Sequence, residues 1–435
     1  MNVLERLMQT RNVLAVMALL QVLWLATVWL TGVTSNWRKI PLLLVYSVVS
    51  GVAIGCMPAS FVFRIRQIKE CLIQNERLLI STLCVVVLIA GVVYANYQRT
   101  VPDELDSFNA SRMVAEEGVV PFFANYARIY WLGAQHPPLV PLVYGFAMHL
   151  LGVNLFVARL VSLAFAIATV LLTYFLGREL YDRNTGLLVT SLLLSFPFFF
   201  RNGAAALTDM PVTFFFALAL LLTLRLLQTP TCRLSVATGI FIGAGLLSKY
   251  MMALIYPVVL SYFIAIVPFR RLKLPLAFVT LVSVSMLITW LVYAYHIGVL
   301  AMHKDTVASY ASVVMTTNFG KKLLLETLLV SLPSFLGVYN IPMLFLGAID
   351  LMRRRSQSDL FILLWIGVVF LSLSLTLPDH RYFMPAFPAL AVMVARGLRR
   401  LPEAAEQVIM LALLYCGGVL YLFVDWHRAA FLFFR

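Results

Sequence analysis

The stretch "VPDELDSFNASR" (residues 101–112) places Asp103, Glu104 and Asp106 within four positions of a chain in which only 12% of residues are charged. Carboxylates gathered at a water-exposed point can take a proton from an acceptor group. Other sparse polar residues recur in short motifs further on: His136 in "QHPPL" (135–139), Asp209 in "ALTDMP" (206–211), Lys249 in "LSKY", and Arg381 with Tyr382 in "DHRYFMPAFPAL" (379–390). Carboxylates beside cations at a membrane surface are what is needed to deprotonate an acceptor while an anionic phosphate departs. Each residue also has a plainer reading. Loop acids are commonly just solvated, a His before two prolines caps or borders a helix, Lys249 can snorkel as an anchor, and an Asp at a helix start is often an N-cap.

The elements that position these residues follow from composition. Of 435 residues, 62% are hydrophobic, and the formal net charge is +14. Such a chain is a polytopic all-α membrane protein, because a soluble domain carries about twice that share of charged residues. The Lys and Arg are scattered between apolar segments in small clusters, so nucleic acid is not the partner. Spans are expected at 13–32, 41–62, 78–96, 157–176, 186–200, 211–227, 234–247, 250–268, 275–297, 326–349, 360–377, 382–397 and 407–424, about thirteen in all.

Basic clusters then fall on alternate connections: "RIRQIKE", "GRELYDR", "TCR", "PFRRLK", "MRRRSQ" and "ARGLRR". The positive-inside rule makes those cytoplasmic, with the N-terminus, and sets the acidic loop, "TDMP", the 298–325 loop and "LPDHRY" on the other face. "HPPLVPLVYGFAMHLLG" (136–152) is too short to cross and is expected to lie in the interface. The chain is therefore divided into three N-terminal helices (1–97), a long extracytoplasmic loop with an interfacial helix (98–156), a transmembrane bundle (157–424) and a short tail (425–435). The five cysteines fall in spans or cytoplasmic turns, where no extracytoplasmic disulfide is expected.

The order of motifs is similar to one known family. An acidic pair in a long outer loop, "HPPL", then "FVARLVSLAFAIATVLLTYFLGREL" (156–180), "TDMPVTFFFALALLL" and "RYFMPAFPALAV" resemble the membrane-embedded glycosyltransferases of the dolichyl-phosphate-mannose protein mannosyltransferase superfamily, of GT-C type. That superfamily includes the bacterial aminoarabinose transferases of lipid A. The likeness runs over about residues 98–397.

The resemblance implies transfer of a sugar, with inversion, from a polyprenyl-phosphate donor to an extracytoplasmic lipid, glycan or protein acceptor. It makes Asp103 the catalytic base, with Glu104 supporting it. His136, Lys249, Arg381, Tyr382 and Asp209 are candidates for holding the donor's phosphate or sugar, and Arg159 in "ARL" for orienting the loop. No cofactor is implied beyond the lipid-linked donor, and no metal in the chemical step. A bacterial plasma membrane, with the site facing the periplasm or exterior, is the expected location. The chain departs from the family in having two helices before the usual first span, in placing Asp106 and His136 where the aminoarabinose branch has basic residues, and in lacking the mannosyltransferases' large acceptor-side domain. A transporter or flippase of a lipid-linked sugar remains the rival reading. It is disfavoured because nearly all acids lie at span ends rather than at mid-membrane.

Overall fold

The computed structural model describes residues 74–97, 100–266, 273–316, 336, 340–374 and 380–401. The spans expected at 13–32, 41–62 and 407–424, most of that at 326–349, and the 425–435 tail lie outside these residues. Every regular element among the described residues is helical.

Helix α1 is Glu76–Tyr97, and α6, α9, α10 and α12 are Leu155–Leu180, Asp209–Gln228, Cys232–Ser248 and Lys273–His296. Four of these, α1, α6, α9 and α12, are long and apolar enough to cross a membrane. The other described helices are shorter, so these residues do not carry the chain to thirteen spans. The starts of α6 and α10 are written locally: Asn154 and Thr231 each accept the backbone N–H three residues on, at 2.9 and 3.3 Å.

Between α1 and α6, the segment expected to be a loop with one interfacial helix holds four helices and a turn. They are α2 (Pro102–Glu117), α3 (Val119–Ala124), a 3-10 turn (Tyr126–Arg128), α4 (Tyr130–Gln135) and α5 (Leu139–Leu151). Helix α2 escapes a reading by apolar period because its buried stripe, Glu104, Ser107, Ala110, Ser111 and Val114, is made largely of small and polar residues. That stripe lets it lie close on α5, where Gly145 sits over the Ser111 carbonyl with no room for a Cβ.

Three expected spans are broken, among them 250–268, which opens as a 3-10 turn (Tyr250–Leu254) before its helix Ile255–Ile266. The segment 186–200 is α7 (Arg183–Leu193) followed by α8 (Pro197–Gly203), since Pro197 has no N–H to continue a helix but suits a new start. Residues 382–397 open as a 3-10 turn (His380–Ala386) around Pro385, and only then form α16 (Phe387–Leu398). The 298–325 segment, expected as a loop, is helical over Val299–Thr316 (α13), which lies on α4. The remaining elements are a 3-10 turn (Tyr250–Leu254), α11 (Ile255–Ile266), α14 (Asn340–Arg354) and α15 (Gln357–Ser374).

The main core gathers large side chains from α9, α15 and α16, with Phe216, Phe361, Trp365 and Phe387 fully buried. Lipid tails are as apolar as the helices, so close van der Waals contact must hold the bundle. The tightest crossing among the described residues is α14 on α16. A Cβ on Gly347 would land on the Met393 carbonyl, and one on Gly397 on the Met343 carbonyl.

Backbone cannot yield as a flexible side chain can, so Gly397→Ala is expected to push these helices apart. Its thermal unfolding midpoint in detergent should fall, corresponding to about 1–3 kcal/mol. An unchanged midpoint would show that the crossing relaxes freely.

Candidate functional site

Pro102 opens α2 after the extended residue Val101, which places Asp103 and Glu104 in the helix's first turn. The partial positive charge of a helix N-terminus favours carboxylates there. One helical step turns each successive side chain by about 100°, and the three acids of the motif part company. Glu104 is fully buried, the Asp103 side chain is half exposed, and Asp106 points to solvent.

Glu104 is therefore not the solvated loop acid that its position after a span announces. Arg159 in the first turns of α6 grips it with both arms, Nε to Oε1 and Nη2 to Oε2 at 2.8 Å each. The third arm, Nη1, donates to the Ala95 carbonyl at the end of α1 at 2.7 Å. The backbone N–H of Ala206 completes the shell, donating to Oε1 at 2.8 Å. The Tyr144 hydroxyl on α5 pins the next carbonyl, Leu207, at 2.8 Å. The short segment before α9 is thus held from two sides.

Asp209, which follows it, does not cap α9. Thr208 occupies the N-cap, and the Asp209 carboxylate accepts from Lys249 Nζ at 2.6 Å, with both side chains buried. Lys249 closes α10 in an extended conformation and lies 4.1 Å from the centre of the Tyr382 ring, a cation–π contact that a surface-seeking anchor would not make. The residue before Tyr382 turns the other way: Arg381 Nη2 donates to Asp103 Oδ2 at 2.5 Å. Neighbouring residues of one 3-10 turn therefore hold the two acid and base pairs, Asp103 with Arg381 and Asp209 with Lys249.

His136 stands where α4 ends. It is buried, its carbonyl accepts from the Tyr126 hydroxyl at 2.8 Å, and its ring lies 4.1 Å from that of Trp131. Among the described residues, neither His136 Nδ1 nor Trp131 Nε1 has a hydrogen-bond partner. Burial first, then the positive charge of Lys249, Arg381 and His303, holds the His136 imidazole well below its usual range. It is a neutral donor or acceptor set among cations. Of the aromatics around it, Tyr126 and Trp131 are buried, whereas Tyr130 is exposed.

His303 is the residue that motif reading missed. It lies on α13, 4.7 Å ring to ring from Tyr250, the neighbour of Lys249, whose hydroxyl accepts from Trp290 Nε1 at 2.8 Å. The only trace in sequence is the polar run "HKD" (303–305) in an otherwise apolar segment.

The arrangement offers a half-exposed carboxylate beside a guanidinium, a buried ammonium, and a neutral imidazole within electrostatic reach of both cations. It can accept a proton at one edge and stabilise negative charge at the other.

Residues 135–296, less than half of the chain, match the family described as dolichyl-phosphate-mannose-protein mannosyltransferase. His136, Arg159, Asp209 and Lys249 fall within the match; Asp103, Glu104, Arg381 and Tyr382 fall outside it. An uncharacterized protein of Aquifex aeolicus is 25% identical over 294 residues, covering 66% of this chain and 57% of that protein. Among solved structures, ArnT from Cupriavidus metallidurans bound to undecaprenyl phosphate aligns with a TM-score of 0.60 at 19% identity, over 74% of this chain and 60% of ArnT. The archaeal oligosaccharyltransferase AglB from Archaeoglobus fulgidus, in complex with an inhibitory peptide and a dolichol-phosphate, aligns at 0.55 and 14%, over 78% of this chain and 55% of AglB. The chain spans less than two thirds of the length of these relatives. The resemblance to the mannosyltransferase superfamily read from the motif order has this match over 135–296 behind it, the described residues are all helical with the fold of ArnT and AglB, and the chain is an integral membrane protein.

Removing one partner of a buried ion pair strands the other charge. Arg159→Ala should lose about 3–5 kcal/mol in detergent unfolding, and Arg159→Lys should not restore it, since Lys cannot bond both carboxylate oxygens at once. For His136 the folded-state affinity for a proton is depressed, so the unfolded chain binds the proton first. Stability is full above the ordinary His value of about 6.5 and falls as pH drops below it. The midpoint should decline between about pH 6.5 and 5 more steeply in the wild type than in His136→Gln; parallel declines would contradict the burial of a neutral imidazole.

Proposed function

We propose that the chain is a glycosyltransferase that moves a sugar, with inversion, from a polyprenyl-phosphate donor to a lipid, glycan or protein acceptor outside the cytoplasm. The observation that carries this reading is the Asp103–Arg381 pair, in which the one solvent-reaching carboxylate of the Asp-Glu motif meets a guanidinium at 2.5 Å. The fold supports it, because ArnT with that fold was solved bound to undecaprenyl phosphate and AglB with a dolichol-phosphate.

Asp103 is the general base in this reading. It takes the proton of the acceptor as the acceptor atom bonds the sugar's anomeric carbon, while the bond from that carbon to the phosphate oxygen breaks and both its electrons leave with the lipid phosphate. Charge developing on the phosphate is met by Arg381 and Lys249, with His136 as a neutral hydrogen-bond partner. Tyr382 and Asp209 hold Lys249 in place. Glu104 takes no part in proton transfer to or from the acceptor, since its two oxygens are committed to Arg159 and Ala206. It acts, with Arg159, as a positioning residue that fixes the turn from which Asp103 projects.

Asp103 and Arg381 come together only when the phosphate is absent in this scheme. A donor phosphate competes for the guanidinium, and the carboxylate it releases becomes available as a base. The distribution of charge supports the expected location. Arg178, Arg225 and Arg396 sit at the far ends of α6, α9 and α16 from this site. By the positive-inside rule those ends and the N-terminus are cytoplasmic, and the site faces the periplasm or exterior of a bacterial plasma membrane. The described part of the 98–156 segment is then the catalytic region, laid on the described helices of the 157–424 bundle.

Proteoliposomes supplied with a panel of polyprenyl-phosphate sugars and acceptors test the reading. Wild type should release polyprenyl phosphate, and Asp103→Asn should release it roughly 10²–10⁴-fold more slowly with an unchanged unfolding midpoint. Equal release by the two proteins would remove Asp103 as the base. Movement of a labelled donor between leaflets without any release would establish a flippase instead.

A further inference from the structure

In the described part of the 98–156 segment, three buried side-chain polar atoms meet no hydrogen-bond partner among the described residues: Ser107 Oγ, Trp131 Nε1 and His136 Nδ1. Two of them belong to neighbouring rings. Trp131 and His136 lie 4.1 Å apart, centre to centre, with their planes 31° apart, and both residues are more than nine-tenths buried. Ring N–H groups and ring lone pairs lie in the plane of the ring, so two rings layered in this way cannot satisfy each other. A buried polar group left unmet costs free energy and calls for an explanation.

The polar groups around the pair are spent elsewhere. The Tyr126 hydroxyl donates to the His136 carbonyl, and the indole N–H of Trp290, in the same apolar cluster as Trp131, donates to the Tyr250 hydroxyl. What can meet the pair follows from its chemistry. An indole N–H only donates, whereas a neutral imidazole, the form His136 keeps beside Lys249, Arg381 and His303, has one nitrogen that accepts. A hydroxyl accepts from the indole and can either donate to Nδ1 or accept from it, so it fits both tautomers. A phosphate oxygen only accepts, and fits one. The two imidazole nitrogens point away from each other, which leaves Nε2 for the donor's phosphate and Nδ1 for a group beyond it. On a lipid-linked donor that group is the sugar.

We propose that Trp131 Nε1 and His136 Nδ1 together bind a ring hydroxyl of the transferred sugar, and that the pair helps to select which lipid-linked sugar is used. This role rests on the glycosyltransferase reading. Helix α13 covers α4 through Met302, which lies on Gly133 and whose unbranched side chain yields to an entering sugar. Because water reaches neither nitrogen, a sugar lacking that hydroxyl leaves both unmet. Nothing in "YWLGAQHPP" (130–138) announces Trp131, since a Trp at a membrane surface is ordinarily part of the aromatic belt.

The test uses the full chain in proteoliposomes with polyprenyl-phosphate mannose, glucose and arabinose, then with the monodeoxy forms of the sugar that wild type transfers, and reads released polyprenyl phosphate. With the wild type, one monodeoxy donor should fall about 10–100-fold in kcat/KM. Trp131→Phe keeps an aromatic ring and loses the N–H. It should fall by a similar factor on the intact donor and match the wild type on that monodeoxy donor. Should Trp131→Phe fail to fold, benzothienylalanine at position 131, which keeps the outline of the indole with sulfur in place of N–H, serves for the same comparison. An equal loss on the intact and on every monodeoxy donor would make Trp131 structural and overturn the proposal. Undiminished use of every monodeoxy donor would leave the pair to a buried water and overturn it too. Release from the intact donor that the variant leaves unchanged would overturn this role alone, whereas no release from any donor by the wild type would overturn the glycosyltransferase reading and this role with it.

Discussion

A carboxylate taken out of water must have its oxygens satisfied by fixed donors, and Glu104 meets that demand by drawing four chain segments to one point. Arg159 brings the start of α6, Ala206 the segment before α9, Ala95 the end of α1, and Glu104 itself the start of α2. The geometry is bidentate and every charged arm has a partner, which is the condition under which a buried pair offsets its own desolvation. Asp103 is one residue from this node and Asp209 three residues from Ala206. The positions of both chemically interesting acids are consequences of it.

From that node the site is assembled by pairs that are distant in sequence. Asp103 and Arg381 are 278 positions apart, and Asp209 and Lys249 are 40 apart. The 380–386 turn works as a hinge between them because adjacent side chains of a 3-10 turn point in different directions. Positive charge from Lys249 and Arg381 is largely balanced in place by the two aspartates, and His136 stays neutral among them. The paired cations and carboxylates leave this cluster without a large uncompensated charge.

The two ends of the bundle handle charge differently. At the site end Lys249 and Arg381 each have their own carboxylate, whereas at the far end the guanidiniums of Arg354, Arg396 and Arg400 share that of Asp350. At that far end the helices also meet through glycines, at Gly347 and Gly397 and again at Gly177 and Gly186, so that backbone packs on backbone where no hydrophobic drive separates helix from lipid.

Much of this molecule was legible in its residues alone. Apolar runs of the right length located α1, α6, α9 and α12, because a bilayer imposes its thickness on any helix that crosses it. The scarcity of charge made each of Asp103, His136, Asp209, Lys249 and Arg381 worth asking about. The helix α2 was not legible, since its buried face is serine, alanine and glutamate and carries no apolar period. Nor was His303, because nothing local in an apolar segment says that it will fold back over Tyr250. Above all, the sequence could group Asp103 with Glu104 but could not tell them apart. One helical step of rotation sends one to water and the other to Arg159, and only the packing of α2 against α6 decides which.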